Sequence, residues 1–158
     1  MPRPLGRVHP ALAVVVLLTA LNGLTPYLEI KTGFGFNMYS NLLTARGESN
    51  HLLVPATLHL SDTQDVMVRV IDTDDAALAY YIEEDLLIPI PSLRNYLAAN
   101  SNVEAILQVG SERVFVEPGT VPTILGEQPG WFESKFLLFR ALDETEPKRC
   151  LRYWGPLY

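Results

Sequence analysis

Near its N-terminus the chain reads PALAVVVLLTALNGLTPYL from Pro10 to Leu28, a stretch without a charged side chain. As an α-helix, Val8 to Leu28 would extend about 31 Å, at about 1.5 Å per residue, which matches the hydrocarbon core of a bilayer. The sequence therefore predicts a short basic tail at residues 1–9 and a transmembrane anchor at residues 10–28. Residues 29–158 are then expected to form the folded domain.

Two other interpretations of this stretch stay open. The first is a cleaved signal peptide, since Arg3 and Arg7 precede a short apolar core, although Leu18-Thr19-Ala20 is a poor cleavage site. The second is a buried helix of a globular domain. Of the three, an uncleaved signal anchor fits the length and flanks of the stretch best.

The charges around the apolar stretch predict an orientation. Arg3 and Arg7 precede it, whereas Glu29 and Lys31 cancel just after it. By the positive-inside rule, the N-terminus is expected in the cytoplasm and the C-terminal domain outside a cell membrane.

Four residues in or beside the anchor are candidates for binding a partner. Thr19, Asn22 and Gly23 supply the polar and small groups through which membrane helices associate. Tyr27 lies where an interfacial aromatic residue is expected. Besides the lipid bilayer, the expected partner is a multi-pass membrane protein. An equally simple interpretation is that these residues merely end an ordinary anchor.

The charge balance excludes some classes of function. From Gly33 onward there are nine Lys and Arg against seventeen Asp and Glu, within a total net charge of −6. Nucleic-acid binding needs a basic surface and is not expected. Cys150 is the single cysteine, so an intrachain disulfide is impossible and the fold depends on packing.

The pattern beyond the anchor predicts an α+β domain: a mostly antiparallel sheet of about five strands with two to three short helices on one side. The predicted extended segments lie in Ile30–Thr44, His51–Leu60, Asp65–Asp72, Leu86–Ile90, Val103–Val109, Arg113–Glu117 and Cys150–Tyr153. The first two are expected to pair as a hairpin around a polar turn at Ala45–Asn50, and the fifth and sixth as a second hairpin around Gly110-Ser111. The predicted helices are Ala76–Glu84, Ser92–Asn100 and Trp131–Leu142, the last with Trp131, Phe132, Phe136 and Phe139 packed in the core.

The acidic residues between the predicted third strand and the next extended segment could suggest a metal site. They are Asp72, Asp74, Asp75, Glu83, Glu84 and Asp85. Counted as a calcium-binding loop, however, this segment has Ala76 and Ala77 where the loop needs an oxygen ligand and a glycine. Helix capping and a solvated face are the expected roles, and no metal ligands or cofactor are predicted here.

Neither the histidines nor the cysteine is predicted to be catalytic. On one strand His51 and His59 would lie about 26 Å apart, at about 3.3 Å per residue, too far to share a metal. Cys150 has no glycine-rich turn beside it, and no serine lies in a G-x-S-x-G context. An independent hydrolase is therefore not expected.

Part of the chain resembles a known group of membrane proteins. The matching pieces are Thr25-Pro26-Tyr27, the run from Phe36 to Leu42 and the run from Ser49 to Leu53. They resemble the end of the last membrane helix and the start of the C-terminal tail in the bacterial HTTM group, the membrane relatives of vitamin K-dependent gamma-carboxylase. Such proteins carry several membrane helices before this point, whereas one is predicted here. The resemblance carries no catalytic residue over to this chain.

These observations together lead to an expected function. The chain is expected to be a membrane-anchored, non-enzymatic interaction or accessory domain that docks on a multi-pass membrane partner. The alternative is an accessory part of a carboxylase-like or oxidoreductase membrane enzyme, or a truncated fragment of one.

Overall fold

A five-stranded antiparallel sheet forms the centre of the fold. The computed structural model describes residues 9–34, 42–127 and 130–145. The elements are, in chain order, helix α1 (Pro10–Leu24), strands β1 (Thr44–Ala45), β2 (Glu48–Ser49) and β3 (Met67–Thr73), helix α2 (Ala76–Glu83), strand β4 (Leu86–Pro89), helix α3 (Ile90–Ala99), strands β5 (Ala105–Val109) and β6 (Glu112–Val116), helix α4 (Trp131–Phe136) and strand β7 (Leu142–Asp143). Short 3-10 turns lie at Asp62–Gln64 and Thr123–Leu125.

The strands of this sheet follow the order β6-β5-β3-β4-β7, and each neighbouring pair is antiparallel. Strand β3 confirms the strand predicted at Asp65–Asp72, with its start and end moved by one or two residues. Strands β5 and β6 confirm the predicted hairpin around Gly110-Ser111. Gly110 has φ +60° in this turn, a conformation that glycine adopts without steric cost.

The side chains of β3 alternate between two apolar clusters, because successive side chains of a strand point to opposite faces. Val68 and Val70 pack with α2 and α3 in the main core. Met67 lies on the other face, where it packs with Ala45 of the small β1–β2 hairpin and with Leu142. The α+β class and the antiparallel pairing are therefore as the sequence predicts, with α2 and α3 on one face.

Helices α2 and α3 begin where local chemistry favours a helix start. The Asp75 carboxylate accepts hydrogen bonds from the backbone N–H groups of Ala77 and Leu78 and so caps α2. Pro91 lies in the first turn of α3, where its missing N–H costs nothing. Both helices lie where the sequence predicts them.

The predicted transmembrane anchor is wrong. Among residues 9–34, 42–127 and 130–145, no helix combines the length and the apolar character needed to cross a membrane. Helix α1 has 15 residues, about 22 Å at about 1.5 Å per residue, against about 30 Å of hydrocarbon. Pro26 lacks the N–H that would bond to the Asn22 carbonyl, and the Thr25 hydroxyl donates to that carbonyl instead, at 2.8 Å. The single-pass membrane placement and the orientation predicted from this anchor are therefore corrected as well.

The predicted hairpin at the start of the domain is also wrong. Strands β1 and β2 form a smaller hairpin around Arg46-Gly47, both with positive φ, and all of it except Thr44 lies in the segment Ala45–Asn50 that the sequence assigns to a turn. In the segment predicted as a strand at His51–Leu60, Ala56 forms only an isolated bridge to Glu48. Pro55 interrupts that segment, since proline cannot donate a ladder hydrogen bond. Most of the strand predicted within Ile30–Thr44 falls on residues 35–41, outside the described residues.

The last predicted helix is shorter than expected. Helix α4 ends at Phe136, and the chain continues without helix to β7. Phe139 is buried, but Trp131, Phe132 and Phe136 are exposed. The prediction that all four aromatic side chains pack in the core is therefore wrong for three of them. The predicted strand Cys150–Tyr153 lies outside the described residues.

We expect Gly33→Ala to lower the free energy of unfolding by about 1 to 3 kcal/mol, the usual cost of overpacking. The backbone N–H of Gly33 donates to the Leu138 carbonyl at 2.6 Å. An added Cβ would lie 2.9 Å from the Leu138 Cβ and 3.1 Å from its carbonyl oxygen. Urea unfolding checks this against Gly130→Ala, whose added Cβ meets nothing within 4 Å and which should cost only about 0.5 kcal/mol, because alanine caps the start of α4 less well than glycine. Equal costs would contradict the close approach at Gly33.

Candidate functional site

A polar cluster surrounds the carboxylate of Glu29, five residues after the end of α1. The Glu29 side chain is completely buried. Its Oε1 accepts hydrogen bonds from the Gly47 backbone N–H at 2.7 Å and from the Thr57 hydroxyl at 2.5 Å. Its Oε2 lies 2.6 Å from Nδ1 of His59. Glu29 therefore joins the β1–β2 hairpin to the irregular segment that precedes β3.

The other ring nitrogen of His59 faces two more carboxylates. Nε2 lies 3.6 Å from Asp62 Oδ1 and 3.3 Å from Asp65 Oδ2. One nitrogen and two carboxylate oxygens, from three residues, thus lie within 4.8 Å of one another at the surface. We call His59, Asp62 and Asp65 the His59 cluster.

A 3-10 turn at Asp62–Gln64 positions the two aspartates of the His59 cluster. The Ser61 hydroxyl caps this turn by accepting from the Thr63 N–H at 3.3 Å. The Asp65 N–H donates back to the Asp62 carbonyl at 3.1 Å. Asp62 therefore begins the turn and Asp65 directly follows it, so that one tight turn places both carboxylates near the histidine.

The hydrogen bonds in this site shift the pKa of two of its groups. Burial alone would raise the pKa of Glu29, but hydrogen bonds from Thr57, Gly47 and His59 together lower that pKa below 4.5. The Glu29 hydrogen bond, supported by the charge of Asp65, raises the pKa of His59 above 6.5. The surrounding carboxylates therefore favour the protonated, positively charged form of His59.

The partner-binding residues predicted from sequence lie on α1 and in the turn after it. Thr19 is exposed on the helix, and Gly23 is half-buried near its end. Asn22 already has a partner within the chain, because its side-chain N–H donates to the Phe34 carbonyl at 3.3 Å. Tyr27 packs edge-to-face on His51, with ring centroids 5.8 Å apart. The structure therefore leaves Thr19 open but ties Asn22 and Tyr27 into the domain.

Helix α1 itself exposes an unusual amount of apolar surface. It has no buried residue, and its large aliphatic side chains are between 48 and 60% exposed. They are Leu12, Val14, Val15, Val16, Leu17, Leu18, Leu21 and Leu24. A helix that is apolar on every side normally lies inside an apolar environment.

Helix α4 adds a second exposed apolar surface. Phe132 stacks on Phe136 with ring centroids 5.0 Å apart, and Trp131 meets Phe136 edge-to-face at 5.8 Å. Trp131 is nevertheless 72% exposed. These rings contact one another at the surface, so they cover little of the apolar core.

Three of the acidic residues between β3 and β4, Asp74, Asp75 and Asp85, have structural roles, and Asp75 is the helix cap that the sequence predicts. Besides capping α2, Asp75 Oδ1 accepts from the Tyr96 hydroxyl at 2.8 Å. Asp74 accepts from the Glu104 N–H at 3.0 Å, and Asp85 pairs with Arg69. Their carboxylates are thus occupied by the chain itself.

Sequence reasoning missed the His59 cluster because it placed His51–Leu60 on a strand and compared His59 with His51. The usable signal was the spacing H-x2-D-x2-D from His59 to Asp65. The contact between Glu29 and His59 could not be found in this way, because the two residues are thirty positions apart in the sequence. Cys150 lies outside the residues that the structure describes.

Comparison with known proteins adds no relative from which a role could be transferred. The resemblance to the HTTM group therefore stays a prediction, and the roles of these residues follow from their geometry. No protein-family model, curated protein or solved structure matches this chain.

Proposed function

We propose that this chain is a non-enzymatic interaction domain that docks through α1 among apolar helices of a partner protein. The observation that carries this proposal is the exposure of eight large aliphatic side chains on a 15-residue helix with no buried residue. Apolar surface of this extent marks an interaction site on a folded protein. Covering it also supplies the main driving force for association.

Other apolar segments are attached to the same short stretch that follows α1. The Leu58 N–H donates to the Tyr27 carbonyl at 2.8 Å, and Leu58 is exposed, as are Leu52 and Leu53. Leu138, two residues after α4, accepts from the N–H of Gly33. The segment Tyr27–Phe34 therefore follows α1 and is hydrogen-bonded to Leu58 and to Leu138. These contacts support the proposal that α1 and the exposed leucines belong to one docking surface.

The composition of α1 favours a protein partner of helical structure. A helix lying in a lipid interface needs a polar face, but α1 has only Thr19 and Asn22 as polar residues. A second copy of α1 would cover one side of the helix and leave the others in water. Several apolar helices of one partner would cover all sides, with the small residues near Gly23 permitting close approach. By the resemblance described above, the proposed partner is a multi-pass membrane protein.

Photocrosslinking from α1 tests this proposal. Leu18→Cys on a Cys150→Ser background would carry a photoreactive maleimide and be activated in a mild-detergent extract of the producing cells. We expect an adduct with one other protein, located on an apolar helical segment of that protein. Phe115→Cys is the matched control, because Phe115 is also exposed and apolar but lies on β6.

A charge on α1 should abolish the same adduct. Val16→Asp on the Leu18→Cys background should lower the yield at least about tenfold, because burying an unpaired carboxylate costs more than the 1.4 kcal/mol that corresponds to that factor. The fold should tolerate this change, since Val16 is exposed. Adducts with lipid alone, adducts with a second copy alone, or identical adducts from positions 18 and 115 would contradict the proposal.

A further inference from the structure

We propose that the His59 cluster is a zinc site, in which Nε2 of His59 and one carboxylate oxygen each of Asp62 and Asp65 bind the metal. This inference is independent of the docking function, because it rests on different side chains. The three groups follow one another within seven residues, and each is accessible from solvent.

The two separations between His59 Nε2 and the aspartate oxygens match the size of a zinc ion. Zinc binds imidazole nitrogen and carboxylate oxygen at about 2.0 to 2.2 Å in tetrahedral geometry, which places neighbouring ligand atoms about 3.4 Å apart. His59 Nε2 lies 3.3 Å from Asp65 Oδ2 and 3.6 Å from Asp62 Oδ1. A small rotation of exposed aspartate side chains is therefore enough to close the site.

Glu29 supplies the outer contact that zinc-binding histidines usually have. Metal-bound imidazoles almost always donate their other ring N–H to a carboxylate or carbonyl, which determines the tautomer and the ring orientation. Nδ1 of His59 lies 2.6 Å from Oε2 of Glu29. With the proton held on Nδ1, the lone pair of Nε2 points towards the two aspartates. The Glu29 carboxylate is in turn held by Thr57 and Gly47, so the orientation of the ring is set by the fold.

The ligand set distinguishes zinc from the common hard cations. Calcium and magnesium prefer oxygen ligands alone and take six or more of them, whereas His59 supplies nitrogen. Imidazole with carboxylates is a ligand set that suits zinc. Three protein ligands leave the fourth tetrahedral position to water, which fits the exposure of the cluster.

Zinc titration of the purified chain tests the proposal. The chain would be free of affinity tags, stripped of metal, and made on a Cys150→Ser background so that the thiolate cannot contribute. Competition with a fluorescent zinc chelator should show one zinc ion bound per chain. Bound zinc should also raise the thermal midpoint of unfolding, because the unfolded chain lacks the assembled site.

Substitutions then locate the ion. Asp62→Asn, Asp65→Asn and His59→Ala should each weaken zinc binding at least tenfold, and Glu29→Gln by about 10- to 100-fold, the usual effect of an outer-shell partner. The matched controls, Glu112→Gln and His51→Asn, change an exposed acid and a histidine outside the cluster and should leave the affinity unchanged. Circular dichroism of each variant without metal confirms that the fold is retained.

Two results would overturn the zinc site. One is the absence of saturable zinc binding by the folded chain, in which case His59 acts only as a positive partner of its three carboxylates. The other is one-to-one binding that persists with unchanged affinity in both Asp62→Asn and Asp65→Asn. Neither result affects the docking proposal, whose test uses α1.

Discussion

Replacing Phe139 by alanine is expected to lower the free energy of unfolding by about 3 to 5 kcal/mol, the usual range for a buried Phe→Ala change. Phe139 is 1% exposed and is the largest completely buried side chain among the described residues. Its backbone carbonyl also accepts from the buried Ser92 hydroxyl at 3.1 Å, so α3 holds the chain in place around it. The surroundings can therefore collapse only partly into the cavity that alanine would leave.

Phe132→Ala is the matched control for this measurement. Both phenylalanines come from the segment that the sequence predicts as one core helix, but Phe132 is 59% exposed. Its removal should change stability by less than about 1 kcal/mol, as for most surface substitutions. Guanidinium unfolding of both variants, read by circular dichroism, compares them directly. Equal losses would mean that the aromatic residues share one core, as the sequence alone predicts.

Glu29→Ala is expected to cost about 3 kcal/mol of unfolding free energy. The substitution removes a buried, charged acceptor and leaves the half-buried Thr57 hydroxyl and Gly47 N–H without their partner. A buried unsatisfied group costs about 1 to 3 kcal/mol, and each of these two should cost an amount near the lower end of that range. Glu29 has φ +54°, which is unfavourable for alanine as it is for glutamate. The backbone strain therefore largely cancels in the comparison, and the loss reports the side-chain contacts.

Thermal and urea unfolding at neutral pH, without metal, measure this effect. Glu112→Ala removes an exposed glutamate from β6 and should stay within about 0.5 kcal/mol of the parent chain. Glu29→Gln keeps an acceptor for two of the donors and should fall between the two. A Glu29→Ala variant as stable as Glu112→Ala would show that the carboxylate does not hold the hairpin to the segment before β3.

Glu29 lies between the two proposed sites, α1 and the His59 cluster, although each proposal is argued from its own side chains. It follows α1 by five residues and orients His59 through Nδ1. A variant at Glu29 would thus disturb zinc affinity through the histidine and stability through Thr57 and Gly47. The locating substitutions for zinc are Asp62→Asn and Asp65→Asn because these side chains are exposed and carry little of the fold.

The sequence alone was sufficient where local chemistry and burial agree. Strand β3 alternates so that Val68 and Val70 both face the core, and Asp75 caps α2 with its own side chain. The hairpin at Gly110 combines a turn residue with flanking strands of matching pattern. In each case the signal spans only a few residues, and the tertiary structure imposes nothing that conflicts with it.

Where the sequence prediction failed, contacts between distant residues decide the structure. Phe139 alone among the four aromatic side chains lies in a buried position, beside α3. The end of α1 before Pro26 is the exception, because it is a local effect that the apolar composition of the stretch obscured. Glu29 and His59 are thirty residues apart, so their contact exists only after the chain around the β1–β2 hairpin has folded. By itself the sequence determined the antiparallel α+β domain, because alternation and capping act over neighbouring residues. Only the tertiary structure decided that Glu29 orients His59 and that Phe139 alone of the four aromatic side chains is buried, because both depend on which distant segments pack together.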